Sequence, residues 1–185
     1  HIKVKKLLNW LTIRVEKQTA PMSLAELSES LFGLQALSSG HTTARKLLLA
    51  LAGNQQLALA GNQQLARTAQ RSSGEAARVA HRDPSIFISK SLYGLQSMSS
   101  EHAEVRSILR VLGAAIDTSA VAPFSPQSVM HACYGLKSMS NDRGEVRRVL
   151  GQLAARVGRG EDGLSDHEVG YALYGLNNMT LIPEE

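Results

Sequence analysis

Apolar residues recur every three to four positions in short stretches separated by Ser, Gly, Asn and Pro, the spacing of helices that bury one face. Leu27, Leu31, Leu34 and Leu37 share one such face, and Ile88, Leu92, Leu95 and Met98 share another. Within these stretches four segments align without gaps: Leu31-Phe32-Gly33-Leu34-Gln35, Leu92-Tyr93-Gly94-Leu95-Gln96, Cys133-Tyr134-Gly135-Leu136-Lys137 and Leu173-Tyr174-Gly175-Leu176-Asn177. Their glycines lie 61, 41 and 40 positions apart. That spacing predicts an all-α chain, an α-solenoid of about forty-residue helix-turn-helix repeats with roughly twenty residues inserted in the first interval.

Each repeat opens with a helix, A, announced ten residues or so before its glycine by Ser23, Ser125 or Ser165 as N-cap, or by Asp83-Pro84. Ser23/Glu26 and Ser165/Glu168 have capping-box spacing, and Met22/Leu27, Phe124/Val129 and Leu164/Val169 are placed to staple the first turn. A second helix, B, follows, with Ser100 or Asn141 as the expected cap and Val105, Ile108, Leu109, Leu112 and Ile116 matched by Val146, Val149, Leu150, Leu153 and Val157. Residues 2–18 carry the register of a B helix, because Leu8 precedes Gly33 as Leu150 precedes Gly175. The expected organisation is one array over 1–185: helix B 2–18, repeat 22–56, insertion 57–82, repeat 83–120, repeat 124–160 and helix A 164–180, a piece of a longer protein because neither end has a polar cap. The insertion holds a tandem octapeptide, Leu49 to Gln56 and Leu57 to Gln64, and predicts an extended or broken B helix before a loose linker.

Composition agrees with this picture. The chain has 185 residues, 43% of them hydrophobic and only 4% aromatic, enough apolar surface for a cored domain and little of what a sheet needs. A net charge of +4 and a pI near 9.4 are compatible with nucleic acid, an anionic membrane surface or an acidic protein. Positive charge gathers on the early B segments, at Lys3, Lys6, Arg14, Lys17, Lys46, Arg67 and Arg71, while Asp166, Glu168, Glu184 and Glu185 make the far end acidic. The lone Cys133 excludes an internal disulfide and reads as a buried thiol. No apolar run is long enough for a membrane span.

Function in a repeat array shows as columns on an exposed face. One column is Phe32, Tyr93, Tyr134 and Tyr174, accompanied by Gln35, Gln96, Lys137 and Asn177; it reads either as packing between successive A helices or as a platform for bases or protein hot spots. The other is Lys5, Arg45, Arg106 and Arg147 on successive B helices, either a solvated face with local pairs such as Glu101/Arg106 and Glu145/Arg148 or a partner-binding stripe. The glycines, placed mid-helix, imply close helix approach. Scattered histidines, with His41 and His102 equivalent, and a cysteine without a positioned base leave no catalytic or metal constellation, and no cofactor is expected.

The runs Glu168-Val169-Gly170-Tyr171-Ala172-Leu173-Tyr174-Gly175-Leu176 and Lys90-Ser91-Leu92-Tyr93-Gly94-Leu95 resemble the first helix of octotricopeptide-type repeats, with Gly for the usual small Ala and Tyr for the usual Trp. The resemblance implies an organellar location and single-stranded RNA as ligand, with Tyr93, Gln96, Tyr134, Lys137, Tyr174 and Asn177 on the RNA-facing helix. The residues themselves point first to a non-catalytic scaffold or linker subunit that docks onto proteins of a larger complex in an organelle, and second to an RNA-binding repeat protein.

Overall fold

The computed structural model describes residues 2–69, 83–117, 123–157 and 163–180, with backbone alone over 56–69. Eight α-helices make up the regular structure among them: α1 (Ile2–Glu16), α2 (Leu24–Gly33), α3 (Thr42–Ala69), α4 (Pro84–Gly94), α5 (Ala103–Asp117), α6 (Pro126–Gly135), α7 (Gly144–Arg156) and α8 (Asp166–Leu176). The described chain is all-helical, with one isolated bridge between Phe124 and Val157.

The four A-type helices begin where their polar side chains take over orphan N–H groups. Ser23 Oγ accepts the Glu26 N–H at 3.2 Å while the Glu26 carboxylate accepts the Ser23 N–H at 2.7 Å, and Ser165 and Glu168 form the same reciprocal box. Ser125 Oγ accepts from Ser128 N–H at 3.2 Å, and Asp83 Oδ1 accepts from Ser85 N–H at 2.9 Å ahead of Pro84. Each such cap is worth about 1 kcal/mol.

Two expectations about element ends are corrected. Gly33, Gly94 and Gly135 are not mid-helix but the last α-helical residues, and Gly175 is the last but one of α8. The chain then tightens to shorter bonds, Leu34 N–H to Leu31 C=O at 2.9 Å and Leu37 N–H to Leu34 C=O at 2.8 Å, so the following leucine stays on the apolar face as the helix ends. Ser100 and Asn141 do not cap the B-type helices, which start later, at Ala103 and Gly144; Arg143 precedes α7 with no side-chain cap. Both polar side chains turn instead to the neighbouring segment, as described below.

Contacts between helices run in two series. α2, α4, α6 and α8 pack successively on one another, α1, α3, α5 and α7 do likewise, and α2·α3 and α4·α5 touch across. Between the series lies the core, with Leu27, Leu31, Leu48, Leu51, Ile88, Leu92, Leu95, Met98, Ile108, Leu109, Leu112 and Ile116 fully buried. Each such side chain contributes roughly 1.5–3 kcal/mol of hydrophobic stabilisation. The insertion resolves toward the extended alternative: α3 is continuous to Ala69, whereas the linker expected beyond it lies outside the described residues. The first octapeptide has a structural use, since Asn54 Oδ1 accepts the Met22 N–H at 2.7 Å and Gln55 Nε2 donates to Met22 C=O at 2.5 Å, tying α3 to the start of α2.

Candidate interaction surfaces

The glycine column sets the distance between successive A-type helices. A Cβ on Gly94 would stand 2.3 Å from Leu31 O, one on Gly135 2.1 Å from Leu92 O, and one on Gly175 2.1 Å from Cys133 O. Any side chain there collides with backbone, so close approach is the reason for these three glycines. Gly33, in the first copy, meets nothing within 4 Å.

Close approach lets polar side chains reach the next segment's backbone. The buried Ser39 and Ser100 accept the N–H groups of Ser99 and Ser140, both at 3.0 Å, and Asn141 in the same register accepts from Thr180 N–H at 3.0 Å and donates to Thr180 C=O at 2.6 Å. Three residues after each later glycine, Ser97, Ser138 and Asn178 donate to the carbonyls of Gln35, Gln96 and Lys137 at 3.3, 2.7 and 2.5 Å. Sequence reasoning took Ser100 and Asn141 for helix caps and missed this seam, although a polar residue repeated six places after the glycine was visible.

The arginine column belongs to the same frame. Arg45, Arg106 and Arg147 each donate from Nη1 to the carbonyl six residues earlier, of Ser39, Ser100 and Asn141, at 2.7, 2.9 and 2.8 Å. They brace the turn between A and B rather than forming a uniformly free basic stripe; Lys5, their counterpart on α1, stays exposed. The local ion pairs expected from spacing are replaced by pairs across segments. Glu101 holds Arg143, Glu145 holds Arg110 at 2.8 Å, and Arg148 holds Asp117 at 2.6 Å, while Arg106 reaches only the Glu101 carbonyl. Hydrogen bonds from Arg143 and Arg148 keep the Glu101 and Asp117 carboxyls below the usual carboxylate range.

The aromatic column is a ladder of rings stacked on one another. Centroids lie 6.1 Å apart for Phe32/Tyr93, 5.6 Å for Tyr93/Tyr134 and 5.8 Å for Tyr134/Tyr174. Lysines cover it: Lys90 Nζ sits 4.7 Å over Phe32 and pairs with Glu29, and Lys137 Nζ sits 4.3 Å over Tyr134 while donating to Gln96 Oε1 at 3.1 Å. Phe32, Tyr93, Tyr134, Gln35, Gln96 and Lys137 are half-buried; Tyr174 and Asn177, at the open end, are exposed. His131 stands edge-on to Tyr93 at 5.2 Å, and burial lowers its pKa below the ordinary 6.5. Burial likewise raises the Cys133 thiol, as befits its apolar setting. No cluster of three or more His, Cys, Asp or Glu able to hold a metal occurs among the described residues, and none of their helices is long and apolar enough to cross a membrane.

The large exposed apolar residues gather on the terminal helices. Leu7 and Trp10 on α1 are 56% and 53% exposed, with Ile2, Val4 and Ile13 beside them, and Leu173 and Tyr174 on α8 are 63% and 56% exposed, with Val169 and Tyr171. The signal was present in the sequence as an α1 apolar on more than one face, but only packing distinguishes the face that is covered. No family model matches the chain, and neither the curated proteins nor the solved structures include a significant match to it.

Proposed function

We propose that the chain is an α-solenoid of about forty-residue A/B hairpins acting as a non-catalytic scaffold or linker subunit, docking proteins at its ends within a larger assembly. The organellar setting follows from the octotricopeptide-like runs alone. The carrying observation is the contrast between saturated flanks and open ends: ring faces and arginine donors along the array are already engaged, whereas the apolar surfaces of α1 and α8 are not. Exposed contiguous apolar patches of this kind mark protein-docking sites, and Trp10, Tyr171 and Tyr174 are the residue types that dominate such contacts.

RNA recognition by the aromatic column is disfavoured because rings already in stacked contact leave no gap for a base. The decisive experiment is chemical crosslinking of the protein in native extract, read by mass spectrometry. Crosslinks to protein should concentrate at Lys3, Lys5 and Lys6 of α1 and disappear with the double variant Leu7→Asp/Trp10→Glu. A single-stranded RNA affinity that survives that variant and falls steeply with added salt would instead establish the RNA alternative.

A further inference from the structure

Resting on the scaffold reading above, we propose that the occupant of both ends is a second copy of this chain, stacked head to tail so that α8 of one copy seats on α2 of the next and α7 seats on α1.

Both halves of an interior contact are present and unused at opposite ends. Inside the array a glycine of the later A-type helix lies over the carbonyl two residues before the glycine of the earlier one. Gly33 of α2 keeps the glycine and has open space over it. On α8 the matching carbonyl is that of Leu173, whose side chain is 63% exposed, whereas its counterparts Leu31 and Leu92 are fully buried.

The B-type helices repeat this relation. α7 meets α5 through Val149 and Gln152, whose Cγ2 and Oε1 lie 3.7 and 3.0 Å from where a Cβ of Gly113 would stand. In the register that aligns Leu8 with Leu150, those two positions on α1 are Leu7 and Trp10, both exposed. The place of Gly113 on α7 is taken by exposed Ala154, one turn from Gly151, which has nothing within 4 Å. Bulky side chains at one end thus face small ones at the other. Beside them an apolar hollow of about 330 Å³, lined by Leu150, Leu153, Ala154, Val157 and Leu176, lies open to a B-type helix. α1 of the next copy would give α8 the neighbour that α2 and α4 have in α3 and α5. Such a contact is heterologous, so copies form rings or open stacks.

One position is mismatched, and it sharpens the test. Where Arg45 meets Glu104 at 3.5 Å in the interior, Arg147 would meet Lys3 of the next copy. Both are exposed, so added salt should strengthen association by screening them, and Lys3→Glu should raise it about two- to fivefold by restoring the interior pair.

The test is sedimentation velocity on the purified full chain from micromolar to millimolar concentration. The expected result is reversible, concentration-dependent association that Gly33→Ala weakens at least about tenfold, since the added Cβ would overlap the Leu173 carbonyl of the neighbouring copy. The space around Gly33 within one copy leaves this variant folded, as a thermal melt verifies. A chain that stays monomeric at millimolar concentration, or association unchanged by Gly33→Ala in a folded protein, overturns the proposal. A monomer that still loses native protein crosslinks on Leu7→Asp/Trp10→Glu overturns self-stacking alone and leaves the scaffold reading standing.

Discussion

The same substitution at two equivalent glycines should act with opposite sign. Gly135→Ala places a Cβ 2.1 Å from Leu92 O and 2.6 Å from Tyr93 N, so α6 must withdraw from α4 by roughly 1 Å to restore ordinary contact. Withdrawal strains the Ser138 Oγ to Gln96 C=O bond at 2.7 Å and the Ser140 N–H to Ser100 Oγ bond at 3.0 Å. Each is worth about 1 kcal/mol net, and forced overpacking costs about 1–3 kcal/mol. The helix-propensity gain of Ala, at most about 1 kcal/mol, does not offset these losses. Gly135→Ala should therefore destabilise by about 2–4 kcal/mol, lowering the melting temperature by roughly 2–4 °C per kcal/mol for a chain of this size. Gly33→Ala meets nothing within 4 Å and should be neutral or stabilising by up to about 1 kcal/mol in dilute solution. Urea unfolding followed by circular dichroism at 222 nm measures both. Equal shifts of the same sign would refute the assignment of the glycine column to backbone contact.

Three further outcomes follow from the seam, the ladder and the titratable groups. Asn141→Ala removes the bonds that clasp Thr180 and should loosen α8, seen as faster amide exchange over α8 with α4 and α5 unchanged. Tyr134→Phe keeps the stacked ring and loses only the contact with Lys137 Nζ at 3.1 Å, costing less than about 1 kcal/mol, whereas Tyr134→Ala should cost about 2–4 kcal/mol in chemical denaturation. Burial lowers the folded-state pKa of His131, so its contribution is whole above the unfolded value of 6.5 and is lost as pH falls through the depressed folded value. The melting temperature should drop between pH 7.5 and 5.5, and His131→Phe should flatten that drop. At more acid pH the capping boxes weaken in turn, because the Ser23 and Ser165 bonds hold Glu26 and Glu168 below 4.5 and their stabilisation is lost as pH falls through those lowered values.

Local chemistry was readable from sequence wherever it depends on neighbours along the chain. Ser23, Asp83, Ser125 and Ser165 begin helices because their side chains reach an N–H two or three residues on, a relation that spacing alone contains. The helix ends were misplaced because a leucine stripe continues through the tight turn after each glycine, so periodicity does not mark the change in bonding. The ion pairs were misassigned for a related reason: Glu101 has Arg106 at favourable spacing, but Arg143 from the next segment arrives closer.

Sequence by itself determined the all-helical class, the four aligned motifs, the capped starts and the buried leucine faces, because each follows from intervals of three or four residues and from which side chains leave water. Tertiary structure decided what the columns do. Arg106 spends its guanidinium on Ser100, Tyr134 lies between Tyr93 and Tyr174, and Gly94 clears Leu31 while Gly33 clears nothing. Identical residues in identical local sequence differ there only in what stands across from them, and that depends on how helices some forty residues apart are brought together.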